Sequence, residues 1–114
     1  MKIIVILLLL LTPISCTETK IENTYWIDVR TIKEYNEGHL KEAVHIPYQN
    51  IAKEIEKVTI DKSAKIKVYC KVGGRASLAE KTLEKMGYKN VSNAGGYKSI
   101  LKERQKNKLE LNST

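Results

Sequence analysis

Residues 65–75 read Lys-Ile-Lys-Val-Tyr-Cys-Lys-Val-Gly-Gly-Arg, and this stretch decides the fold. Lys65 to Tyr69 alternates polar and apolar side chains and is rich in residues that favour strands. From Arg75 to Met86 the apolar side chains recur at helical spacing, and Gly87 is a typical C-terminal stop. A strand, a short glycine-containing loop and a helix in this order form the repeating unit of a parallel sheet.

The same alternation of strand and helix extends to both sides of this unit. Thr31 and Glu34 have the spacing of a capping box, and Gly38 ends the short helix that they begin. Asn50 is expected to cap a second helix, and Gly95-Gly96 opens a last one. The fold class predicted is therefore α/β, with one domain, a central mainly parallel sheet and helices on both faces. Strands are predicted at residues 25–29, 43–46, 65–69 and 90–93.

Composition limits what this single domain can do. The chain has 114 residues, a formal net charge of +7 and two cysteines. Its lysines are spread along the sequence and aromatic side chains do not interleave with them, so we expect no nucleic-acid partner and a general preference for anionic ligands. His39 and His45 have no thiol or carboxylate at ligand spacing, so neither a metal nor another cofactor is predicted. We expect a monomer.

The first residues have the pattern of an export signal. Residues 1–15 begin with a short positive start, continue with the apolar run from Ile3 to Leu11 and end in small or polar residues. As a helix, that run would rise only about 14 Å, which is too short to cross a hydrocarbon core of about 30 Å. Pro13-Ile14-Ser15-Cys16 resembles a bacterial lipobox, so Cys16 is a candidate for lipidation; the alternative is an ordinary residue near a cleavage point.

The protein is accordingly predicted to be exported, either to the periplasm or as a lipoprotein on the extracytoplasmic side of the membrane. The domain boundaries follow from the composition along the chain. We predict a signal peptide at 1–15, a flexible linker at 16–23, the folded domain at 24–106 and a loose tail at 107–114.

Cys70 is the residue placed for chemistry. It follows the third predicted strand, at the edge of an open α/β sheet where ligand sites gather. The dipole of the following helix favours a thiolate there. Gly73-Gly74 lets successive N–H groups turn inward around one atom or a small anion, and Lys71 and Arg75 add positive charge. These residues predict a nucleophilic thiolate in an anion-accepting loop formed by Lys71, Val72, Gly73, Gly74 and Arg75.

Two residues outside this loop are candidates to lie close to it. Asp28 ends the first strand, where it can either approach the loop or pair with a base such as Arg30. Tyr97 follows Gly95-Gly96 and is expected to line the mouth of the site.

A pattern of short motifs is carried by four segments in order along the chain: Ile27–Arg30 with Glu34-Tyr35, Gly38–Leu40 through Ala43 to Ile46-Pro47, Cys70–Arg75, and Met86–Tyr88 with Asn90-Val91 and Gly95–Tyr97. Through these segments the chain resembles the rhodanese-like domain family, and within it the small exported single-domain thiosulfate sulfurtransferases of the phage-shock type. The resemblance extends from Thr24 to about Lys106. It implies that the thiolate of Cys70 attacks the outer sulfur of thiosulfate, that sulfite leaves, and that cyanide or a thiol accepts the sulfur from the persulfide. It also implies that Lys71 and Arg75 hold the anionic donor.

Two other functions use the same thiolate. A cysteine-dependent phosphatase or an arsenate reductase is the nearest enzyme alternative, but related phosphatases have five residues between the cysteine and the arginine. Only four residues lie between Cys70 and Arg75 here, a shorter loop that suits a sulfur atom better. The second alternative is a non-catalytic persulfide carrier or sensory domain, although inactive relatives commonly lack the cysteine.

Overall fold

The structure is a computed structural model, and it describes residues 23–114. The predicted signal at 1–15, the candidate lipidation site Cys16 and all but the last residue of the predicted linker lie outside the described residues. Among the helices formed by residues 23–114, none has the length and apolar content needed to span a bilayer.

Within residues 23–114, four parallel strands form one sheet in the spatial order β2-β1-β3-β4. Ile27 pairs with Val44 on one side and with Val68 on the other, which places the first strand between the second and the third. All the connections between these parallel strands are crossovers, so the α/β prediction is confirmed. The strands are β1 (Thr24–Asp28), β2 (Val44–His45), β3 (Lys65–Cys70) and β4 (Val91–Gly96).

Helices cover both faces of the sheet, as predicted. Val68 belongs to a buried cluster that includes Ile51 and Leu83 from two of the helices. Its neighbour Tyr69 points to the other face and packs with Ile100 from the last helix. The helices are α1 (Ile32–Glu37), α2 (Ile51–Glu54), α3 (Gly74–Lys85) and α4 (Tyr97–Asn112), with 3₁₀ turns at Tyr48–Asn50 and Ile55–Lys57.

One of the two predicted helix N-caps is present in the structure, and the other is not. The Thr31 side chain accepts a hydrogen bond from the Glu34 N–H, and Glu34 reaches back to the Thr31 backbone, so the predicted capping box is present. Asn50 makes no capping hydrogen bond with its side chain. A 3₁₀ turn leads directly into α2, so the chain is already helical where a cap was expected.

The segment at 107–114, which is predicted to be a loose tail, is helical as far as Asn112. Helix α4 continues through Asn112, although every residue from 101 to 114 is exposed. The Lys, Leu and Glu residues of this stretch are good helix formers, and it contains neither glycine nor proline. Local propensity therefore extends the helix beyond its packed first turns, which are further tied down by an ion pair between Arg104 and Glu42.

Candidate active site

The site lies at the carboxyl edge of the two central strands and β4. Cys70 is the last residue of β3, and its register partner is Gly96, the last residue of β4. Asp28, the last residue of β1, pairs with Tyr69. Because all these strands are parallel, their ends meet at one edge of the sheet.

Cys70 is buried within the main hydrophobic cluster, and its thiol contacts its own loop. The residue is 1% exposed, and the N–H of Gly73 donates to Sγ over 2.9 Å. This return of the chain to the sulfur requires Gly73, whose φ of 103° is one that side-chain-bearing residues rarely adopt. Helix α3 begins at the next residue, so the positive end of its dipole also lies beside the sulfur. The arrangement stabilises negative charge on a sulfur atom at this position.

Strand β4 is hydrogen-bonded to the loop that follows Cys70. Asn93 donates from Nδ2 to the Gly73 carbonyl over 2.9 Å and accepts the N–H of Gly95 over 2.8 Å. One amide side chain thus joins β4 to the residue whose N–H holds the sulfur. Gly96 lies so close to the loop that a Cβ on it would overlap the Lys71 carbonyl oxygen. Neither contact was predicted from the sequence.

Arg75 is held by Glu34 of helix α1. Nη1 and Nη2 of Arg75 donate to the two carboxylate oxygens of Glu34 over 2.6 and 3.0 Å. The hydrogen bonds from Arg75 lower the pKa of Glu34 to about 2. They also raise the pKa of Arg75, to which the charge of Cys70 contributes. The sequence placed Arg75 in the loop but did not predict this partner, which engages both terminal nitrogens of its guanidinium.

The site contains a second arginine, which is also paired with a carboxylate. Arg30 makes a buried ion pair with Asp28, with Nη2 and Oδ2 2.7 Å apart, and donates to the Gly38 carbonyl over 2.6 Å. Its guanidinium lies over the rings of Tyr97 and Tyr69, at 4.6 and 5.7 Å from their centroids. Of the two interpretations of Asp28, the structure shows the pairing with Arg30.

A cleft of about 310 Å³ opens next to Lys71. Tyr97, which is predicted to line the mouth of the site, is part of the wall of this cleft. Val72 is 85% exposed at the tip of the loop and does not line this cleft. The lining residues are Arg30, Glu34, Glu37, Gly38, Lys71, Tyr97 and Lys98.

The two histidines have structural partners. His39 Nδ1 lies 2.7 Å from the Tyr35 carbonyl oxygen, and His45 Nε2 lies 2.7 Å from that of Arg30. Both rings also pack against the Tyr35 ring. Within residues 23–114, no group of three or more His, Cys, Asp or Glu side chains is arranged to hold a metal ion.

The sequence and the fold both match a known family. The family model described as the rhodanese-like domain matches residues 14–103. The chain belongs to the rhodanese-like domain family. Thiosulfate sulfurtransferase PspE of Escherichia coli (strain K12) is 40% identical to it over 76 residues, which are 67% of this chain and 73% of that protein.

Solved structures of rhodanese-like domains have the same architecture. A rhodanese with anions from E. coli superposes with a TM-score of 0.65 at 38% identity, covering 67% of this chain and 89% of the other. The rhodanese-like domain of the Alr3790 protein from Anabaena sp. gives a TM-score of 0.64 at 27% identity, covering 72% and 82%. The expected fold and the resemblance stated from the sequence are both confirmed.

Several residues of this rhodanese-like site were not assigned to it from the sequence. Glu34 was interpreted as a capping residue, yet it also binds Arg75 across a sequence separation of 41 residues. Lys98 and Glu37 line the cleft although they stand outside the loop motif. Asn93 had been assigned only to a weak strand. The position of Lys98 directly after Gly95-Gly96-Tyr97, a few residues beyond the strand predicted at 90–93, was the one available signal.

Proposed function

We propose that this chain is a thiosulfate sulfurtransferase that works through a persulfide on Cys70. The observation that carries the proposal is the Gly73 N–H at 2.9 Å from Sγ, at the N-terminal end of helix α3. A fixed donor at this distance stabilises the thiolate before the reaction and the Cys70 persulfide after it. The relatives named above, which include a thiosulfate sulfurtransferase, support the same activity.

The reaction proceeds in two displacements that balance in atoms and electrons. The Cys70 thiolate attacks the outer sulfur of thiosulfate, the S–S bond of the donor breaks, and sulfite leaves with the bonding electron pair. A nucleophilic acceptor, cyanide or a thiolate, then attacks the terminal sulfur of the persulfide. Thiocyanate or a new persulfide leaves, and the Cys70 thiolate is restored. Covalent catalysis of this kind needs no separate general base once the thiolate is formed.

The loop geometry favours sulfur transfer over phosphate or arsenate chemistry. Only four residues separate Cys70 from Arg75, and the guanidinium of Arg75 is committed to Glu34 through both terminal nitrogens. An oxyanion wrapped by the loop would need that guanidinium as a partner. A sulfur atom needs only an inward N–H donor, which Gly73 provides.

The direct test is to incubate the purified full chain with thiosulfate and weigh it. We expect a mass gain of one sulfur atom on Cys70 that cyanide removes as thiocyanate. Cys70→Ser should gain nothing and release no thiocyanate. If the wild-type chain gains no sulfur, or if Cys70→Ser turns over equally well, the proposal is wrong. Hydrolysis of an aryl phosphate that depends on Cys70 would support a phosphatase instead.

We also propose that the protein is exported, either free in the periplasm or anchored by a lipid on Cys16. The apolar run Ile3 to Leu11 and the lipobox-like Pro13–Cys16 support this location. Membrane fractionation of cells that express the wild type or Cys16→Ser distinguishes the two forms. A lipoprotein should leave the membrane fraction in the variant, and an unanchored protein should be in the soluble exported fraction in both. Retention of both chains in the cytoplasm would contradict export.

The domain is proposed to act as a monomer, and the support is that the described hydrogen bonds which hold the thiol and its loop, from Gly73 to Sγ and from Asn93 to Gly73, are formed within one chain. Light scattering coupled to size-exclusion chromatography should give the mass of one chain across a range of concentrations. A stable dimer would contradict this proposal.

A further inference from the structure

Some of the charged side chains that line the cleft are already in ion pairs, and others are available to a ligand. Arg30 is neutralised by the buried Asp28, and Glu34 is neutralised by Arg75. Among the described residues, the remaining charged side chains of the lining are those of Lys71, Lys98 and Glu37, and none of the three is in an ion pair. The cleft therefore presents two available cations and one available anion. This net charge is positive and comes from lysines, whereas both neighbouring arginines are occupied.

The fold brings the two lysines together at the edge where the reactive sulfur lies. Lys71 follows Cys70 directly, and Lys98 stands two residues after Gly96, the register partner of Cys70. The close approach of Gly96 to the Lys71 carbonyl brings the start of α4 against the loop. Both lysine side chains are exposed, so both ammonium groups can reach a small anion in the cleft.

We propose that Lys98 is a donor-binding and specificity-determining residue, which together with Lys71 binds the sulfonate end of a doubly charged sulfur donor. The inference rests on the proposed sulfurtransferase activity and names how the donor is chosen. Thiosulfate carries two negative charges, and its sulfonate oxygens must lie away from Sγ when its outer sulfur is attacked. Both lysines line one cleft, and Lys71 is the neighbour of Cys70 in the chain, so we assign the sulfonate end of the donor to this cleft.

The expected preference for a doubly charged donor follows from the strength of its attraction to the lysines. The attraction between an ammonium group and an anion scales with the charge of the anion, so a lysine distinguishes a dianion from a monoanion. Glu37 acts in the opposite direction on the same anion, because it lines the same cleft with a negative charge. Opposite effects of Lys98 and Glu37 on the same donor would be specific to charge recognition in this cleft.

The test measures persulfide formation in a single turnover, by quenching and mass spectrometry at a series of donor concentrations. For Lys98→Gln we expect the half-saturating concentration of thiosulfate to rise about tenfold, equivalent to about 1.4 kcal/mol, with the maximal rate changed less than twofold. Lys98→Arg should restore most of the affinity, and Glu37→Gln should improve it. Lys102→Gln removes the same charge from the same helix outside the cleft and is the matched control.

A second donor separates charge recognition from a general loss of fit. Methanethiosulfonate carries one negative charge and transfers its outer sulfur to the Cys70 thiolate with methanesulfinate as the leaving group. The effect of Lys98→Gln on this monoanion should be about threefold or less. Equal effects on both donors, or equal effects of Lys98→Gln and Lys102→Gln, would overturn the proposal. If the wild type forms no persulfide with either donor, the proposed function itself fails, and that outcome is distinct.

Discussion

Gly96 is the position where the smallest change should have the largest effect on the site. A Cβ at this residue would overlap the Lys71 carbonyl oxygen and would lie 3.1 Å from the Lys71 carbonyl carbon and 3.3 Å from the Val72 Cα. All three contacts are with backbone, so no side chain can rotate away. Gly96→Ala must therefore move the loop after Cys70, or β4, or both.

The size of the effect follows from these distances. Carbon atoms in normal contact are about 3.5–4.0 Å apart, so relief of the overlap requires a shift on the order of 1 Å. Overpacking of this kind costs about 1–3 kcal/mol, and for a domain of this size about 2 kcal/mol lowers the Tm by roughly 8–16 °C. A misplacement of about 1 Å in a catalytic group can cost about 100-fold in rate. We expect Gly96→Ala to lose both stability and most of its persulfide formation.

Thermal unfolding and single-turnover persulfide formation measure the two effects separately. Gly74→Ala is the matched stability control, because a Cβ there meets no heavy atom within 4 Å and the residue is already helical. Its Tm should be unchanged or higher, since alanine favours a helix over glycine. If Gly96→Ala keeps its Tm within about 2 °C of the wild type and its rate within about twofold, the reasoning from the close approach is refuted.

Three further predictions concern contacts around the site. Asn93→Asp keeps the acceptor for Gly95 but loses the donor to Gly73, so persulfide formation should slow as in Asn93→Ala; a wild-type rate for Asn93→Asp would contradict this. Glu34→Gln should lower the Tm at pH 7, since the ionised pair with Arg75 contributes about 1 kcal/mol. Because the pKa of Glu34 is lowered to about 2, this contribution is present above about pH 4.5 and is lost as the pH falls toward 2. The Tm difference between the two proteins should therefore shrink over that range, and a constant difference would exclude the ion pair as its source. Tyr88→Phe removes a buried hydrogen bond of 2.7 Å to a backbone carbonyl and should cost about 1–2 kcal/mol by denaturant unfolding without altering persulfide formation.

The elements of the fold could be predicted because each has a local signal. The capping box at Thr31 and Glu34 is present, and α1 ends before Gly38, whose N–H bonds to the Tyr35 carbonyl. Strand β3 and helix α3 lie within one residue of their predicted bounds. These signals are hydrogen bonds between near neighbours and an apolar period, both of which are readable along the chain.

The contacts that shape the site could not be predicted, because they join distant parts of the chain. Glu34 and Arg75 are 41 residues apart, and the choice between Glu34 and a bound anion as the partner of Arg75 depends on where the fold places α1 relative to Arg75. The same holds for Asn93 and Gly73, which are 20 residues apart. A loop sequence shows which groups are near the thiol, and the packing of the other elements decides which of them are available.

The two arginines are paired with carboxylates and the two lysines are exposed at the cleft, and this difference affects how the first product is released. Arginine binds a carboxylate with two parallel hydrogen bonds in a fixed plane, and Arg30 and Arg75 both use this geometry on Asp28 and Glu34. Sulfite, the first product, carries the same kind of oxygens as the sulfonate end of the donor. A rigid guanidinium bound to those oxygens would hold the product as firmly as the substrate and slow its release. An exposed lysine is a point charge on a flexible stem, so it attracts the dianion while holding no fixed geometry that sulfite would keep. By pairing both arginines with carboxylates and leaving lysines at the cleft, the domain separates the charges that serve the structure from those that bind and release the donor.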